Sequence, residues 1–200
     1  MTVRDGQGLL TLILAGGKAL RMGGHDKAFI ELAGRPLIEH VIGRCTGRLA
    51  ISANGDASRF ARFEVPVLPD HTPGQGPLAA IEAGLTHARS IGCRALVTVT
   101  CDTPFLPLDL TKRLGETTAP AAYAKDATGA HPTCALWQVD LLSEVTAAID
   151  RRDLKLMNLL TRVGAEPVMF DDPDAFFNIN TPEDLATAEA MAARSHMPRA

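Results

Sequence analysis

A chain of 200 residues, 46% hydrophobic and 22% charged, has the make-up of a globular protein with one sizeable α/β core, and is too short for two domains of ordinary size. Its formal charge of −3, with no long block of like charges, lacks the basic footprint that neutralises a nucleic-acid backbone, so a small-molecule partner is expected and no nucleic acid. The first apolar run, Leu9 to Ala15, is too short to span a bilayer or to act as a signal sequence, which implies a cytoplasmic protein with no membrane partner. Residues 1–195 read as a single domain and 196–200 as a disordered tail. Cys45, Cys93, Cys101 and Cys134 show no C-x-x-C spacing and no neighbouring histidine, so they read as free buried thiols rather than zinc ligands.

In chain order, Leu9 to Leu14 is a short continuous apolar run stopped by Ala15-Gly16-Gly17, the pattern of a central parallel strand buried on both faces. Pro36 opens a crossover helix with Leu37, Ile38, Val41 and Ile42 at helical spacing. Arg48 to Ser52 is a second strand, and Val65 to Leu68 a weak one whose Pro66 suggests an edge or a strand end. Pro77 starts a helix running to Ala88, and Ala95 to Cys101 is a buried strand leading directly into Asp102-Thr103-Pro104. Helices are expected over Leu106 to Leu114, Leu141 to Ile149 and Pro182 to Ala193, with strands over Thr133 to Val139 and Ala165 to Phe170. Thr181 is the expected cap of the last helix, whose first turn carries Glu183 and Asp184. Strands alternating with helices predict a three-layer α/β/α sandwich around a Rossmann-like, mostly parallel sheet, whose ligands gather at the carboxyl ends of the strands.

Two segments carry chemistry. In Leu14-Ala-Gly-Gly-Lys-Ala-Leu-Arg-Met-Gly-Gly-His-Asp-Lys27, glycines at 16, 17, 23 and 24 allow backbone N–H groups to approach phosphate oxygens, while Lys18, Arg21 and Lys27 supply positive charge. The spacing is neither that of a Walker A loop nor of a dinucleotide-binding G-x-G-x-x-G. Two glycine pairs with interleaved cations favour a polyphosphate site over a plain basic surface loop. In Cys101-Asp-Thr-Pro104, a carboxylate at a strand's end before a proline turn suits a Mg²⁺ ion carrying substrate phosphates, so Asp102 is the candidate metal ligand. An Asx-turn or helix cap is the competing reading of the same residue.

Together these segments resemble the nucleotidyltransferases that begin with a Gly-Gly-x-x-x-Arg-Met signature. Within them, L-A-G-G-x-x-x-R-M-G-G-x-D-K followed by Gly34-Arg35-Pro36-Leu37 resembles the molybdenum cofactor guanylyltransferases. The resemblance continues through Ser52-Ala-Asn54, Asp70, Gly76-Pro-Leu-Ala79, Cys101-Asp-Thr-Pro104, His131-Pro-Thr133 and Asn178-Ile-Asn-Thr-Pro-Glu-Asp-Leu185.

The resemblance implies transfer of GMP from GTP to the terminal phosphate of molybdopterin, with Mg²⁺ as cofactor and pyrophosphate as the second product. It implies catalytic roles for Arg21, Lys27 and Asp102, the last also as metal ligand. It implies nucleotide contacts from Leu14, Ala15, Gly16, Gly17, Lys27, Ser52, Asn54, Asp70 and Asp102, and acceptor contacts from His131, Asn178 and Asn180. Ser52 stands where the family has asparagine, so a shorter hydroxyl replaces an amide there. Asp70 also reads as a loop aspartate before a turn, His131 as a hydrogen-bonded strand-start histidine, and Asn178 and Asn180 as turn residues. GTP and molybdopterin are the implied small-molecule partners, with transient contacts to molybdenum-insertion proteins and molybdoenzyme chaperones. Competing functions are a molybdopterin cytidylyltransferase, a sugar-phosphate nucleotidyltransferase, or a nucleotide- or cofactor-binding module without catalysis.

Overall fold

The structure is a computed structural model that describes residues 8–16, 18–19, 25–72 and 74–195. Gly17, Arg21, Gly23, Gly24 and the expected tail at 196–200 lie outside the described residues.

Seven strands form one sheet: β1 (Leu9–Leu14), β2 (Arg48–Ser52), β3 (Val67–Leu68), β4 (Ala95–Thr100), β5 (Ala121–Asp126), β6 (Gly129–Gln138) and β7 (Glu166–Met169). Their order across the sheet is β7-β5-β6-β4-β1-β2-β3. β1 is central because both its faces are apolar: Leu9 and Ile13 enter one core cluster, Leu10 and Leu12 the other. It pairs in parallel with β2 and β4, and β2 pairs in parallel with β3. β6 runs antiparallel to both β4 and β5, while β7 returns parallel to β5 at the far edge.

The helices are α1 (Leu37–Ile42), α2 (Pro77–Ser90), α3 (Leu110–Gly115), α4 (Leu142–Asp150), α5 (Leu156–Arg162) and α6 (Pro182–Ser195). Leu78, Ile81 and Leu85 of α2, Val145 of α4 and Leu159 of α5 cover one face of the sheet around the fully buried Trp137. Ile38 and Val41 of α1, Leu110 and Leu114 of α3, and Phe60 of a 3₁₀ helix (Ala57–Phe63) cover the other, completing the expected three layers. α6 packs Ala188 and Ala192 on Leu32, Leu37 and Ile179.

Several elements differ from the sequence reading. β5 and β6 form a hairpin rather than part of an alternating βαβ series, because the Asp126 carboxylate accepts from the Thr128 amide at 2.8 Å and the Gly129 amide at 3.0 Å and so closes a tight turn. The helix expected from Leu106 begins only at Leu110, since Pro107 lies in the turns after β4 and the segment stays irregular until the Asp109 carbonyl accepts from Arg113. α5 is too short for a helical period to stand out.

Helix α2 lies close to the sheet at Gly84, where an added Cβ would come within 2.7 Å of Leu12 Cδ2 and 2.9 Å of Leu96 Cδ2. Both leucines are fully buried, in an interior that is close-packed as a rule. Gly84→Val is expected to lower the unfolding free energy by about 2–3 kcal/mol through overpacking. Urea denaturation checks this: the midpoint should fall with an unchanged slope.

Candidate active site

The carboxyl ends of three strands are flush. Leu14 is in register with Ser52 of β2 and Thr100 of β4. Just beyond, the Ala15 amide donates to the Ser52 carbonyl at 2.9 Å, and the Cys101 amide to the Leu14 carbonyl at 3.2 Å. Above this rim lies a cleft of about 770 Å³ whose lining includes Leu14, Ala15, Gly16, Lys27, Ser52, Asn54, Asp70 and Asp102. The nucleotide-side residues read from the sequence therefore share one wall, apart from Gly17, which is not described.

Asp102 is presented by a turn that its neighbours stiffen. Thr103 Oγ1 donates to the Thr100 carbonyl at 3.0 Å and lies 3.1 Å from Thr100 Oγ1, and Thr103 is 2% exposed. Lys27 reaches the same place from a short 3₁₀ turn (Lys27–Phe29) whose cap, Asp26, accepts from the Ala28 amide at 3.2 Å. Lys27 Nζ stands 2.8 Å from Asp102 Oδ2 and also donates to Asn180 Oδ1. The loop bearing Asn180 is tied back by the Ile179 amide, which donates to the Asp102 carbonyl at 3.0 Å.

The second carboxylate oxygen, Asp102 Oδ1, is buried and accepts no hydrogen bond from any described residue. A buried carboxylate oxygen without a partner is costly unless a cation or donor arrives. No group of three or more His, Cys, Asp or Glu side chains gathers among the described residues. One carboxylate with a free oxygen fits Mg²⁺, which takes few protein ligands and completes its shell with phosphates and water, and fits poorly with a metal that needs an all-protein cage. Cys101 next door is no nucleophile, because burial, reinforced by the Asp102 charge, pushes its thiol far up.

On the other flank Asn54 and Asp70 hold each other. Asn54 Nδ2 donates to Asp70 Oδ2 at 2.7 Å, and the Asp70 amide donates to Asn54 Oδ1 at 3.0 Å. The start of α2 opens into the same cleft through Gly76 and Pro77, and Gly76, at φ 63° and ψ −151°, adopts a conformation suited only to glycine. Uncapped amides at a helix start suit an anionic or carbonyl acceptor.

The acceptor-side residues are more dispersed. Asn180 touches Lys27, and Asn178 is exposed on the same loop. His131 is not among the cleft-lining residues: its ring stacks on Phe176 at 4.4 Å between centroids, and its Nε2 approaches Asp126 Oδ2 at 3.0 Å, close but out of line for a hydrogen bond. Burial would raise the Asp126 carboxyl, but Thr128 and the adjacent His131 outweigh it and leave the group below the ordinary range. Thr133, two residues on, does line the cleft, at an irregularity in the β5–β6 register between His131 and Ala135. Sequence reasoning gave no role to Asp26, Arg59 or Thr100, which line the cleft, whereas Thr133 belongs to the His131-Pro-Thr133 segment it singled out. Asp26 stands beside Lys27 and offered a faint cap signal; Arg59 offered none.

A mostly parallel sheet with a Lys–Asp pair and an anion-suited helix start around one cleft at its strand ends has the form of a nucleotidyltransferase. The chain matches the MobA-like NTP transferase domain over residues 11–166. It is 46% identical over 187 residues to a molybdenum cofactor guanylyltransferase of Cereibacter sphaeroides, covering 92% of this chain and 96% of that one. The corresponding protein of Rhodobacter capsulatus is 46% identical over 184 residues, covering 89% and 93%. The crystal structure of molybdopterin-guanine dinucleotide biosynthesis protein A from Archaeoglobus fulgidus shares the fold with a TM-score of 0.77 at 24% identity, covering 92% of this chain and 99% of that one. A nucleotidyl transferase from Methanothermobacter thermautotroptrophicus does so at 0.74 and 17%, covering 96% and 100%. The chain belongs to the MobA-like NTP transferase family, among the molybdenum cofactor guanylyltransferases.

The Asn180 loop depends on a capping box at α6. Asp184 Oδ2 accepts from the Asn180 and Thr181 amides at 2.9 Å each, and the Asp184 amide donates to Thr181 Oγ1 at 3.1 Å. The bond from the Asn180 amide, against the opposing effect of burial and with help from Thr181 and the Lys27 charge, holds the Asp184 carboxyl below its ordinary value. A lowered folded-state pKa adds stability that is complete above about pH 4 and fades as pH falls through the lowered value. Asp184→Ala is expected to cost about 1 kcal/mol at pH 7. The gap from the unsubstituted protein should close on acidification, read by chemical denaturation at several pH values.

Proposed function

We infer that the chain transfers GMP from GTP to the terminal phosphate of molybdopterin, with or without molybdenum already bound, and releases pyrophosphate. The triphosphate lies over Lys27 and Asp102, and the base faces Asn54 and Asp70. One observation carries this reading: Lys27 and Asp102 meet at 2.8 Å in the cleft of a chain 46% identical to molybdenum cofactor guanylyltransferases.

An oxygen of the acceptor's terminal phosphate attacks the α-phosphorus of GTP. The bond from that phosphorus to the oxygen bridging the β-phosphate breaks, and its electron pair leaves on pyrophosphate. The nucleophile is already anionic, so the protein needs no general base. Its work is to hold two anions together and to neutralise charge as it moves to the leaving group. Lys27 supplies one such charge, and Arg21 a second. The α2 start and the backbone at Leu14, Ala15 and Gly16 position the nucleotide. Asn180 and Asn178 border the acceptor. Asp102 would hold Mg²⁺, which would supply electrostatic neutralisation of the triphosphate.

The cytoplasm is the compartment this reading assigns to the reaction. None of the helices among the described residues is long and apolar enough to cross a membrane. Molybdenum-insertion proteins and molybdoenzyme chaperones are the partners that would deliver the acceptor and collect the product.

Asp102→Asn is expected to lower turnover by about 10²–10³-fold while leaving the circular dichroism spectrum unchanged. The assay is pyrophosphate release with GTP, Mg²⁺ and molybdopterin; full activity in this variant would remove Asp102 from the reaction. Lys27→Ala is expected to raise KM for GTP and lower kcat, each by about tenfold, because the ammonium acts on both ground and transition states. Chelation with EDTA should stop turnover and added Mg²⁺ restore it. Mass identification of a guanine dinucleotide product tests the overall reaction, and a product containing cytosine, or none, would overturn it.

A further inference from the structure

Arg59 stands on the 3₁₀ helix Ala57–Phe63 and lines the cleft between the nucleotide's two expected ends. Its Nη1 donates to Asp26 Oδ2 at 2.6 Å, and its Nη2 donates to the Asn54 carbonyl at 3.0 Å. Asp26 caps the turn that carries Lys27, and Asn54 is the partner of Asp70. One guanidinium therefore joins the phosphate-side turn to the base-side loop, using the planar fork that makes arginine a two-point connector.

The connection has an apolar underside. Phe60 is fully buried and packs on Phe29 of the Lys27 turn with centroids 5.2 Å apart, and the Arg59 guanidinium lies 4.9 Å from the Phe60 ring. The two turns are thus fixed to each other twice, below by aromatic packing and above by charge. Arg59 is 36% exposed and Asp26 20%, so the upper contact is partly open to solvent, at the level where a ligand enters.

We propose that Arg59 is a positioning residue for the nucleotide: acting through Asp26 and the Asn54 carbonyl, it sets the span between the turn that meets the triphosphate and the loop that meets the base. It has no covalent part in the reaction. Its guanidinium is held by Asp26 and by the Asn54 carbonyl. Slackening the span weakens binding only of ligands that engage both ends at once.

This inference rests on the reading of the cleft as a GTP site, and the test separates the two. Calorimetry measures the affinity of the unsubstituted protein, Arg59→Ala and Asp26→Asn for Mg²⁺–GTP and for Mg²⁺–tripolyphosphate, a ligand with no base. Asp26→Asn keeps an acceptor for the Ala28 amide and removes only the charge that Arg59 meets. Arg59→Ala and Asp26→Asn should each weaken GTP by about tenfold, and the double variant by little more than either, as coupled partners require. Tripolyphosphate affinity should stay within about twofold, and kcat at saturating GTP should be retained while KM rises. Equal losses for GTP and tripolyphosphate would make Arg59 a direct phosphate ligand and overturn the proposal. Unchanged GTP affinity in Arg59→Ala, or additive losses in the double variant, would also overturn it. Absence of GTP binding by the unsubstituted protein would instead defeat the functional reading. Thermal unfolding of each variant confirms that the comparison is between folded proteins.

Discussion

Lys27 and Asp102 lie 75 residues apart in sequence and 2.8 Å apart in space, and the rest of the site is built around that contact. A lysine and an aspartate partly withdrawn from water hold each other in place. The carboxylate still has one oxygen without a described partner, and the ammonium has a second acceptor in Asn180. Such a pair is poised rather than closed.

The sheet makes this contact possible. β1 is buried on both faces and flanked by β2 and β4 in parallel register, so three chain exits open on one rim. Ala15 and Gly16 follow β1, the Asn54 loop leaves β2 and the Asp102 turn leaves β4, and each exit forms a different part of the cleft wall. Parallel strands need long returns, and the helices that supply those returns also bury both faces of the sheet. α2 then aims its own start at the cleft while Gly84 lets its middle lie close on Leu12 and Leu96. Packing and function are met by one helix.

The flank proposed for the acceptor is organised differently. Asp126 closes the β5–β6 turn and meets His131, His131 stacks on Phe176, and Phe176 leads into the loop with Asn178 and Asn180. His131 thus supports that loop from behind, while Thr133 faces the cleft from a break in strand register. Of the His131-Pro-Thr133 segment picked out by pattern, Thr133 lines the cleft and His131 packs on Phe176.

What the sequence determined by itself was whatever depends on local pattern. The apolar run at β1, the prolines opening α1 and α2, and the Thr181–Asp184 cap of α6 are short-range signals, and each is present where the pattern put it. The order of motifs also carried the family, because glycine pairs, a strand-end aspartate and an Asn-x-Asn-Thr-Pro run are legible without coordinates. What only the tertiary structure decided was anything set by pairing at a distance. β5, with its alanines, lysine and aspartate, becomes a strand because β6 and β7 flank it, not through its own propensity. Arg59 is an ordinary surface-type arginine in sequence, and only the approach of Phe29 to Phe60 brings Asp26 within 2.6 Å of it. Local chemistry writes the turns and caps, whereas the meeting of side chains from separate turns requires the packed core to fix where those turns stand.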